Sequence, residues 1–190
     1  TRSTEARVTL SSNQRVSCKL LIAADGRDSP IRHAAKIRTQ HTDFGQLALS
    51  FAVSHEGSHE NISTEVHKSG GPFTLVPMRD FNGKPSSAVV WMDRVNAIKE
   101  MQSLPTEAFN AAITERSAGV LGQLELITAR SAWPIISQLS DQFFAERTAF
   151  IAEAAHVVPP IGAQGLNLSL GDIEALLDLA TAAPAQIGEA

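Results

Sequence analysis

The stretch AFIAEAAHVVPPIGAQGLNLSLGDIEA, residues 149–175, decides how the rest of the chain is interpreted. The apolar residues 149–155 predict a buried strand, and the apolar spacing over residues 166–180 predicts a helix. Prolines and glycines fill the loop between them: Pro159, Pro160, Gly162 and Gly165. Strand, loop and helix in this order bring backbone N–H groups and a helix N-terminus up to an anionic or electron-rich ligand. A plain connection would have the same spacing, so this stretch alone leaves both interpretations open.

Polar side chains of this stretch are candidates for a ligand site. Glu153 lies at the predicted strand end, where its carboxylate is placed to accept hydrogen bonds from sugar or ribityl hydroxyls. Gln164 and Asn167 add amide groups to the loop and the start of the helix. His156 is a candidate catalytic base, although a histidine in such a place more often orients a loop by hydrogen bonding.

A second predicted strand end lies near the start of the chain. The apolar residues 20–24 predict a strand buried on both faces, and Asp25-Gly26 follows it directly. An ordinary turn would also explain Asp25-Gly26. Two such strand ends in one chain are more informative, because ligands of open α/β sheets bind beyond the carboxyl ends of strands.

The composition is that of a globular protein without a strong electrostatic preference. The 190 residues are 43% hydrophobic, and the net charge is −4 with both signs mixed along the chain. This balance excludes the basic surface that nucleic-acid binding requires. Cys18 is the only cysteine, which excludes internal disulfides and cysteine-rich metal sites and fits a reducing cytoplasm. No apolar run approaches the ~20 residues of a membrane span.

The order of predicted elements indicates an α+β fold. Residues 7–20 predict a β-hairpin, and Ser29-Pro30 predicts the N-cap and first position of a short helix. Strand-like runs then cover residues 46–54, 62–68, 73–78 and 86–92. Two helices are predicted near residues 98 and 110. Residues 123–138 are predicted to be extended, and residues 141–146 to form a helical turn. We therefore expect an α/β part in residues 1–40 and 139–190, with an inserted antiparallel sheet domain in residues 41–138 that carries helices on one face.

Two further features have competing explanations. His55-Glu56-Gly57-Ser58-His59 matches H-E-x-x-H, but no helical apolar period surrounds it. Because a zinc site of this type needs both histidines on one helix face, the sequence favours a solvated loop and no metal. Trp91 and Trp133 either stack on an aromatic substrate or fill the core, which is the commoner role of tryptophan.

Taken together, these motifs resemble those of flavoprotein monooxygenases of the para-hydroxybenzoate hydroxylase type. Asp25-Gly26-x-x-Ser29-x-x-Arg32 resembles the DG motif of that family. Residues 153–167 resemble its GD motif and the flavin loop that follows. Residues 71–78, 89–91 and 130–134 resemble the branch that hydroxylates polyprenylated phenols in ubiquinone biosynthesis.

The resemblance implies an oxidoreductase with FAD as cofactor, NAD(P)H as reductant and O2 as co-substrate, which hydroxylates an activated aromatic ring. The cofactor contacts that it implies are Asp25, Gly26, Glu153, Pro159, Pro160, Gly162, Gln164, Gly165, Leu166 and Asn167. The inserted sheet would form the floor of a pocket for a small aromatic or polyprenyl-phenol substrate. Since such substrates lie in bilayers, a cytoplasmic location and a peripheral association with the inner membrane both stay open, and the oligomeric state is not indicated.

Two departures from the family pattern qualify this expectation. Ala152-Glu153 stands where the family has Gly-Asp, and the chain contains no G-x-G-x-x-G for the ADP half of FAD. We therefore expect an incomplete piece of a hydroxylase that binds FAD weakly or not at all by itself. The alternatives are a non-catalytic module that binds a lipid-like or aromatic ligand or a partner protein, and a related flavin enzyme such as a halogenase or epoxidase.

Overall fold

The structure, a computed structural model, describes residues 4–189. Within them the chain forms twelve strands and four α-helices. The strands are β1 (Ala6–Thr9), β2 (Arg15–Cys18), β3 (Leu21–Ala23), β4 (Thr39–His55), β5 (Thr64–Lys68), β6 (Gly71–Phe81), β7 (Lys84–Arg94), β8 (Leu124–Leu126), β9 (Ser131–Ser140), β10 (Phe144–Ala145), β11 (Thr148–Phe150) and β12 (His156–Val157). The helices are α1 (Pro30–Ala34), α2 (Val95–Ser103), α3 (Thr106–Arg116) and α4 (Gly165–Ala182). None of these helices combines the length and apolarity needed to cross a bilayer.

The described chain divides into two compact units. The first contains the residues up to Thr42 and from Ile136 onwards, and the second is Asp43–Ile135. The chain passes between the units within β4 and within β9. Mixed helices and mostly antiparallel strands confirm the α+β class predicted from the sequence.

In the first unit, two strands that are distant in sequence run side by side. β11 pairs with β3 in parallel, with Phe150 opposite Ala23, and β10 pairs antiparallel with the other edge of β11. Ala23 and Phe150 are buried with Ala154 and Ala155, and Ile31 of α1 packs against this cluster. The parallel pairing places the carboxyl ends of β3 and β11 side by side at the same end of the sheet. The predicted hairpin is confirmed as β1 and β2, and Ser29 caps α1 as predicted.

Three predictions for this unit are wrong in part. Residues 141–146 do not form a helical turn, because Arg147 adopts a φ of 51° and folds Phe144–Ala145 back onto β11 as a strand. The strand predicted over residues 149–155 ends at Phe150, since Ala152 has a φ of 53° and starts a 3-10 turn, Ala152–Ala154. The strand predicted over residues 20–24 is not buried on both faces. Ile22 is 48% exposed, because β3 is an edge strand of its sheet.

The second unit is an antiparallel sheet with helices packed on one face, as the sequence predicts. β4, β7, β6 and β5 are neighbours in that order, and β8 pairs with the end of β4. Side chains on one face of the sheet pack with Ile98 of α2 and with Phe109 and Ile113 of α3. The strand residues in this core are Leu49, Phe51, Val53, Phe73, Leu75, Val89, Trp91 and Leu124.

The opposite face of this sheet carries mainly small side chains. Strand alternation places Ser50 and Ala52 of β4 and Ala88 of β7 on that face, beside a small cluster formed by Ala48, Met92 and Ile135. Most large apolar side chains of the sheet point to the helices, whereas Met92 and Ile135 belong to the cluster on the opposite face.

Arg130 fixes the end of α2. Its Nη1 donates hydrogen bonds to the carbonyl oxygens of Met101 (2.8 Å) and Leu104 (2.9 Å), which lack partners within the helix. Its guanidinium also lies 4.6 Å from the ring centroid of Phe109. Arg130 therefore joins the end of one helix to the aromatic core beneath the other.

Candidate functional site

The two predicted strand ends meet in the first unit. Asp25-Gly26 follows β3, and the turn Ala152–Ala154 follows β11, so both loops leave the same edge of the parallel pair. Gly26 has a φ of 89°, and nothing lies within 4 Å of where a Cβ would stand. The Oδ2 of Asp25 accepts a hydrogen bond from the Ile31 N–H (3.2 Å), which holds the loop against the start of α1.

A buried arginine joins these two loops. Arg32 is 2% exposed, and its Nη2 donates to the carbonyl oxygen of Arg27 (2.6 Å) in the first loop. Its Nη1 donates to the carbonyl oxygen of Ala154 (2.8 Å) in the second. Nε has no partner among the described residues. One side chain therefore fixes the distance between the loops by two charge-assisted hydrogen bonds.

Two residues of β9 reinforce this link. The Gln138 Nε2 donates to the Arg27 carbonyl oxygen (2.9 Å), and the Ser140 Oγ donates to the Ala154 carbonyl oxygen (3.2 Å). Each loop carbonyl thus accepts two side-chain hydrogen bonds. The sequence analysis missed both residues, because polar side chains within a strand show no pattern that distinguishes them from surface residues.

An ion pair between Arg27 and Glu153 connects the two loops. The Nε of Arg27 is 3.4 Å from the Oε2 of Glu153, and the side chains are 31% and 52% exposed. Glu153 lies in the 3-10 turn, three residues after the end of β11, and not at the strand end where the sequence placed it. Its carboxylate is held near the first loop and stays accessible to a ligand from solvent.

The glycine–proline loop is open to solvent at its centre. Pro160 precedes a 3-10 turn, Ile161–Ala163, in which Gly162 has a φ of 71°. The Gln164 amide donates to the Gly162 carbonyl oxygen (2.8 Å) and holds the turn. Pro159 is half-buried, whereas the rest of the predicted contact set in this loop is exposed: Pro160, Gly162, Gln164, Gly165, Leu166 and Asn167.

The helix predicted over residues 166–180 is confirmed as α4, and it begins at this loop. Among residues 4–189 no side chain caps its N-terminus at Gln164, so within this part of the chain the N–H groups of the first turn have no side-chain acceptor. The positive end of the helix dipole is therefore directed at the open loop.

His156 is bonded to an acidic partner that the sequence analysis missed. Its Nε2 lies 2.8 Å from the Oδ2 of Asp172 on α4, so Nε2–H donates to the carboxylate. The same oxygen accepts the N–H of Ala152 (2.8 Å). This geometry favours the loop-orienting role of His156 over the role of a catalytic base.

The two tryptophans of the second unit differ in their surroundings. Trp91 is 6% exposed, belongs to the core and stacks edge-on against Phe73. Trp133, on β9, is 57% exposed. If either tryptophan contacts a substrate, Trp133 is the accessible one.

The H-E-x-x-H segment is the predicted loop over residues 56–59, with Glu56 and Ser58 exposed, but the prediction is wrong for His55. His55 is the last residue of β4 and is 2% exposed. Its Nδ1 must donate to the Gly57 carbonyl oxygen (2.7 Å), so its Nε2 accepts from the Ser87 hydroxyl (3.0 Å). His59 also uses both ring nitrogens, with the Met78 carbonyl and the Asn61 N–H. Within residues 4–189 no group of His, Cys, Asp and Glu side chains is arranged to hold a metal.

The buried ring of His55 predicts that acid destabilises the second unit. Burial lowers the pKa of His55 below its ordinary value of 6.5. The unfolded chain therefore binds a proton that the folded chain rejects, and stability is lost as the pH falls from about 6.5 towards the folded pKa. Urea unfolding midpoints between pH 7.5 and 5 should fall more steeply for the wild type than for His55→Gln. Equal slopes for the two proteins would contradict this assignment.

Comparison with known proteins identifies relatives over most of the chain. The profile of the FAD binding domain family matches residues 2–183. Ubiquinone hydroxylase UbiL of Rhodospirillum rubrum is 33% identical over 175 residues, which are 92% of this chain and 40% of that protein. The 3-demethoxyubiquinol 3-hydroxylase of Escherichia coli is 26% identical over 164 residues, 86% of this chain and 41% of that protein. This chain thus spans about two fifths of the length of these relatives.

Solved structures of flavin-dependent enzymes share the fold. The flavin-dependent halogenase CmlS matches 97% of this chain and 35% of its own, with a TM-score of 0.73 and 18% identity. Pseudomonas aeruginosa PqsL, in complex with 2-aminobenzoylacetate, matches 92% of this chain and 49% of its own, with a TM-score of 0.73 and 22% identity. The resemblance drawn from the sequence motifs is confirmed by the family profile and the hydroxylase relatives.

Proposed function

The chain belongs to the FAD binding domain family, and we propose that its two strand-end loops hold the ribityl chain and ring of FAD in a monooxygenase that hydroxylates an aromatic ring. The observation that carries this proposal is the convergence of the loops of Asp25-Gly26 and Glu153, which the buried Arg32 joins, in the unit that also contains the start of α4.

The groups that converge there fit the flavin half of FAD. Gly26 leaves open space for a close ligand, and Gly162 supplies a backbone turn that other residues rarely adopt. Glu153 is half-exposed and can accept hydrogen bonds from hydroxyl groups. The uncapped N-terminus of α4 offers N–H donors and the positive end of the helix dipole, which would favour negative charge on an oxygen of the flavin ring.

Each part of the site then has a distinct task. Asp25, Gly26 and Glu153 hold the ribityl chain. Pro159 and Pro160 stiffen the loop, and the residues of this loop that would hold the ring are Gly162, Gln164, Gly165, Leu166 and Asn167. With the flavin bound, the N–H groups at Gly165 and Leu166 would donate hydrogen bonds towards the ring and, as fixed dipoles, would favour negative charge there without reorganisation.

The bound flavin would supply the redox chemistry that lets NAD(P)H and O2 hydroxylate the substrate. Names of the bacterial relatives refer to ubiquinone hydroxylation, which supports a polyprenyl phenol as the substrate class. The exposed Trp133 of the second unit is the side chain that we assign to stacking on an aromatic ring of the substrate. A polyprenyl tail would bring the enzyme to a membrane surface from the cytoplasmic side.

Glu153 provides the mutational test of this proposal. Glu153→Gln keeps the length of the side chain and removes its charge, so flavin affinity should fall by about tenfold, which is the order expected for losing a charge-assisted hydrogen bond. Fluorescence titration of FMN and FAD measures the dissociation constants. Glu174→Gln, an exposed glutamate on α4, is the control. Equal affinities for Glu153→Gln and the wild type would argue against the assigned site.

A further inference from the structure

The turn that carries Glu153 has an unusual backbone. Ala152 has a φ of 53°, a left-handed conformation that residues with a Cβ rarely adopt. An alanine does not adopt it without support from its surroundings. The support visible in the structure is the hydrogen bond from the Ala152 N–H to the Oδ2 of Asp172 (2.8 Å).

The same oxygen of Asp172 also fixes His156. The Nε2–H of His156 donates to Oδ2 over 2.8 Å, and the side chains of His156 and Asp172 are only 13% and 23% exposed. One carboxylate oxygen therefore binds both the first residue of the turn Ala152–Ala154 and His156, two residues after the turn. Glu153 lies between these two anchor points.

Asp172 also links this turn to the helix that begins at the loop. Asp172 lies seven residues after Gly165, about two helical turns along α4. No residue of α4 within the described chain is fully buried, and its half-buried residues, Ser169, Asp172, Leu176 and Ala180, follow one face of the helix. The two hydrogen bonds of Asp172 give the helix a defined position relative to the turn.

We infer that Asp172 is a positioning residue of the flavin site, which sets the place of Glu153 and of the α4 N-terminus through Ala152 and His156. This inference rests on the proposed function. Asp172 does not itself touch the ligand. Its carboxylate sets the position of Glu153, in the turn, relative to the N-terminus of α4.

Three variants separate this role from a general effect on folding. Asp172→Ala removes both hydrogen bonds, and Asp172→Asn keeps an oxygen that can accept them. Asp178→Ala changes an exposed aspartate on the same helix and serves as the control. Circular dichroism establishes conditions in which every variant is folded.

Measurements without ligand come first. Asp172→Ala should accelerate hydrogen exchange of the Ala152 amide by about tenfold or more, since that amide loses its acceptor. The ¹⁵N signals of His156 should change from a single Nε2–H tautomer to a mixture, and the Arg27 Nε–H signal should shift as Glu153 moves. Asp172→Asn should lie between Asp172→Ala and the wild type, and Asp178→Ala should match the wild type.

FMN is then the probe of the site. We expect Asp172→Ala to weaken FMN binding by about tenfold, with partial recovery in Asp172→Asn. The inference is overturned if the ligand-free signals of Ala152 and Arg27 do not change in Asp172→Ala. It is also overturned if they change while FMN affinity stays at the wild-type value, because Asp172 would then be structural only. A wild-type chain without FMN affinity would instead count against the proposed function together with the inference.

Discussion

Replacing Arg32 by methionine is expected to lower the free energy of unfolding by about 3 kcal/mol, because two hydrogen bonds from a buried charged donor are lost. Arg32 is 2% exposed and bonds the carbonyl oxygens of Arg27 and Ala154. The loss should not be much larger, since Gln138 and Ser140 still donate to the same two oxygens. Methionine retains most of the apolar volume, so the effect reports on the hydrogen bonds.

Urea denaturation followed by circular dichroism measures this change. Arg38→Met is the matched control, because the Arg38 side chain is 90% exposed and its ion pair with Asp141 is long, at 3.5 Å. The Arg32 variant should also bind FMN less tightly, since the two loops are no longer held together. A stability equal to that of Arg38→Met would show that Arg32 does not join the loops.

Replacing Phe109 by alanine should destabilise the second unit by about 4 kcal/mol, the usual cost of deleting a fully buried aromatic ring. Phe109 is 0% exposed and packs edge-on against Phe51 at 5.1 Å between ring centroids. The guanidinium of Arg130 lies 4.6 Å from its ring centroid. The variant therefore loses apolar burial, an aromatic pair and a cation–π contact, and it leaves a cavity between α3 and the sheet.

Chemical unfolding at pH 7.5 tests this prediction. The control is Phe81→Ala, since Phe81 lies at the β6–β7 turn and is 45% exposed. Its removal deletes the same atoms without a cavity, and the free energy of unfolding should change little. Similar losses for the two variants would mean that Phe109 does not anchor the helices to the sheet.

The sequence predicts local structure well where a residue type has a physical preference. The apolar spacing of α4, the glycines and prolines of its loop, and the Ser29-Pro30 start of α1 all led to the observed elements. The strand pattern predicted the antiparallel sheet and its two helices. These sequence patterns are local, so they predict the elements without any knowledge of the tertiary contacts.

The contacts that build the site have no such local signal. Gln138 and Arg27 are 111 positions apart, and their bond uses a backbone carbonyl that every residue possesses. The left-handed backbone at Ala152 is invisible in the sequence, because alanine ordinarily prefers a helix. The pairing of Asp172 with His156 and the early end of β11 also depend on tertiary contacts, so the sequence does not predict them. The wrong helical turn at residues 141–146 also reflects a tertiary pairing, that of β10 with β11.

The most direct test of the proposed site is a map of the amide signals that FMN shifts in the ¹⁵N-labelled chain. FMN carries the ribityl chain and ring without the adenine half, so it probes the groups assigned here. We predict saturable shifts at Gly26, Glu153, Gly162, Gly165 and Leu166, with the helices of the second unit unaffected. No shifts at millimolar FMN, or shifts confined to residues outside these two loops, would contradict the assignment of a flavin site to the two strand ends.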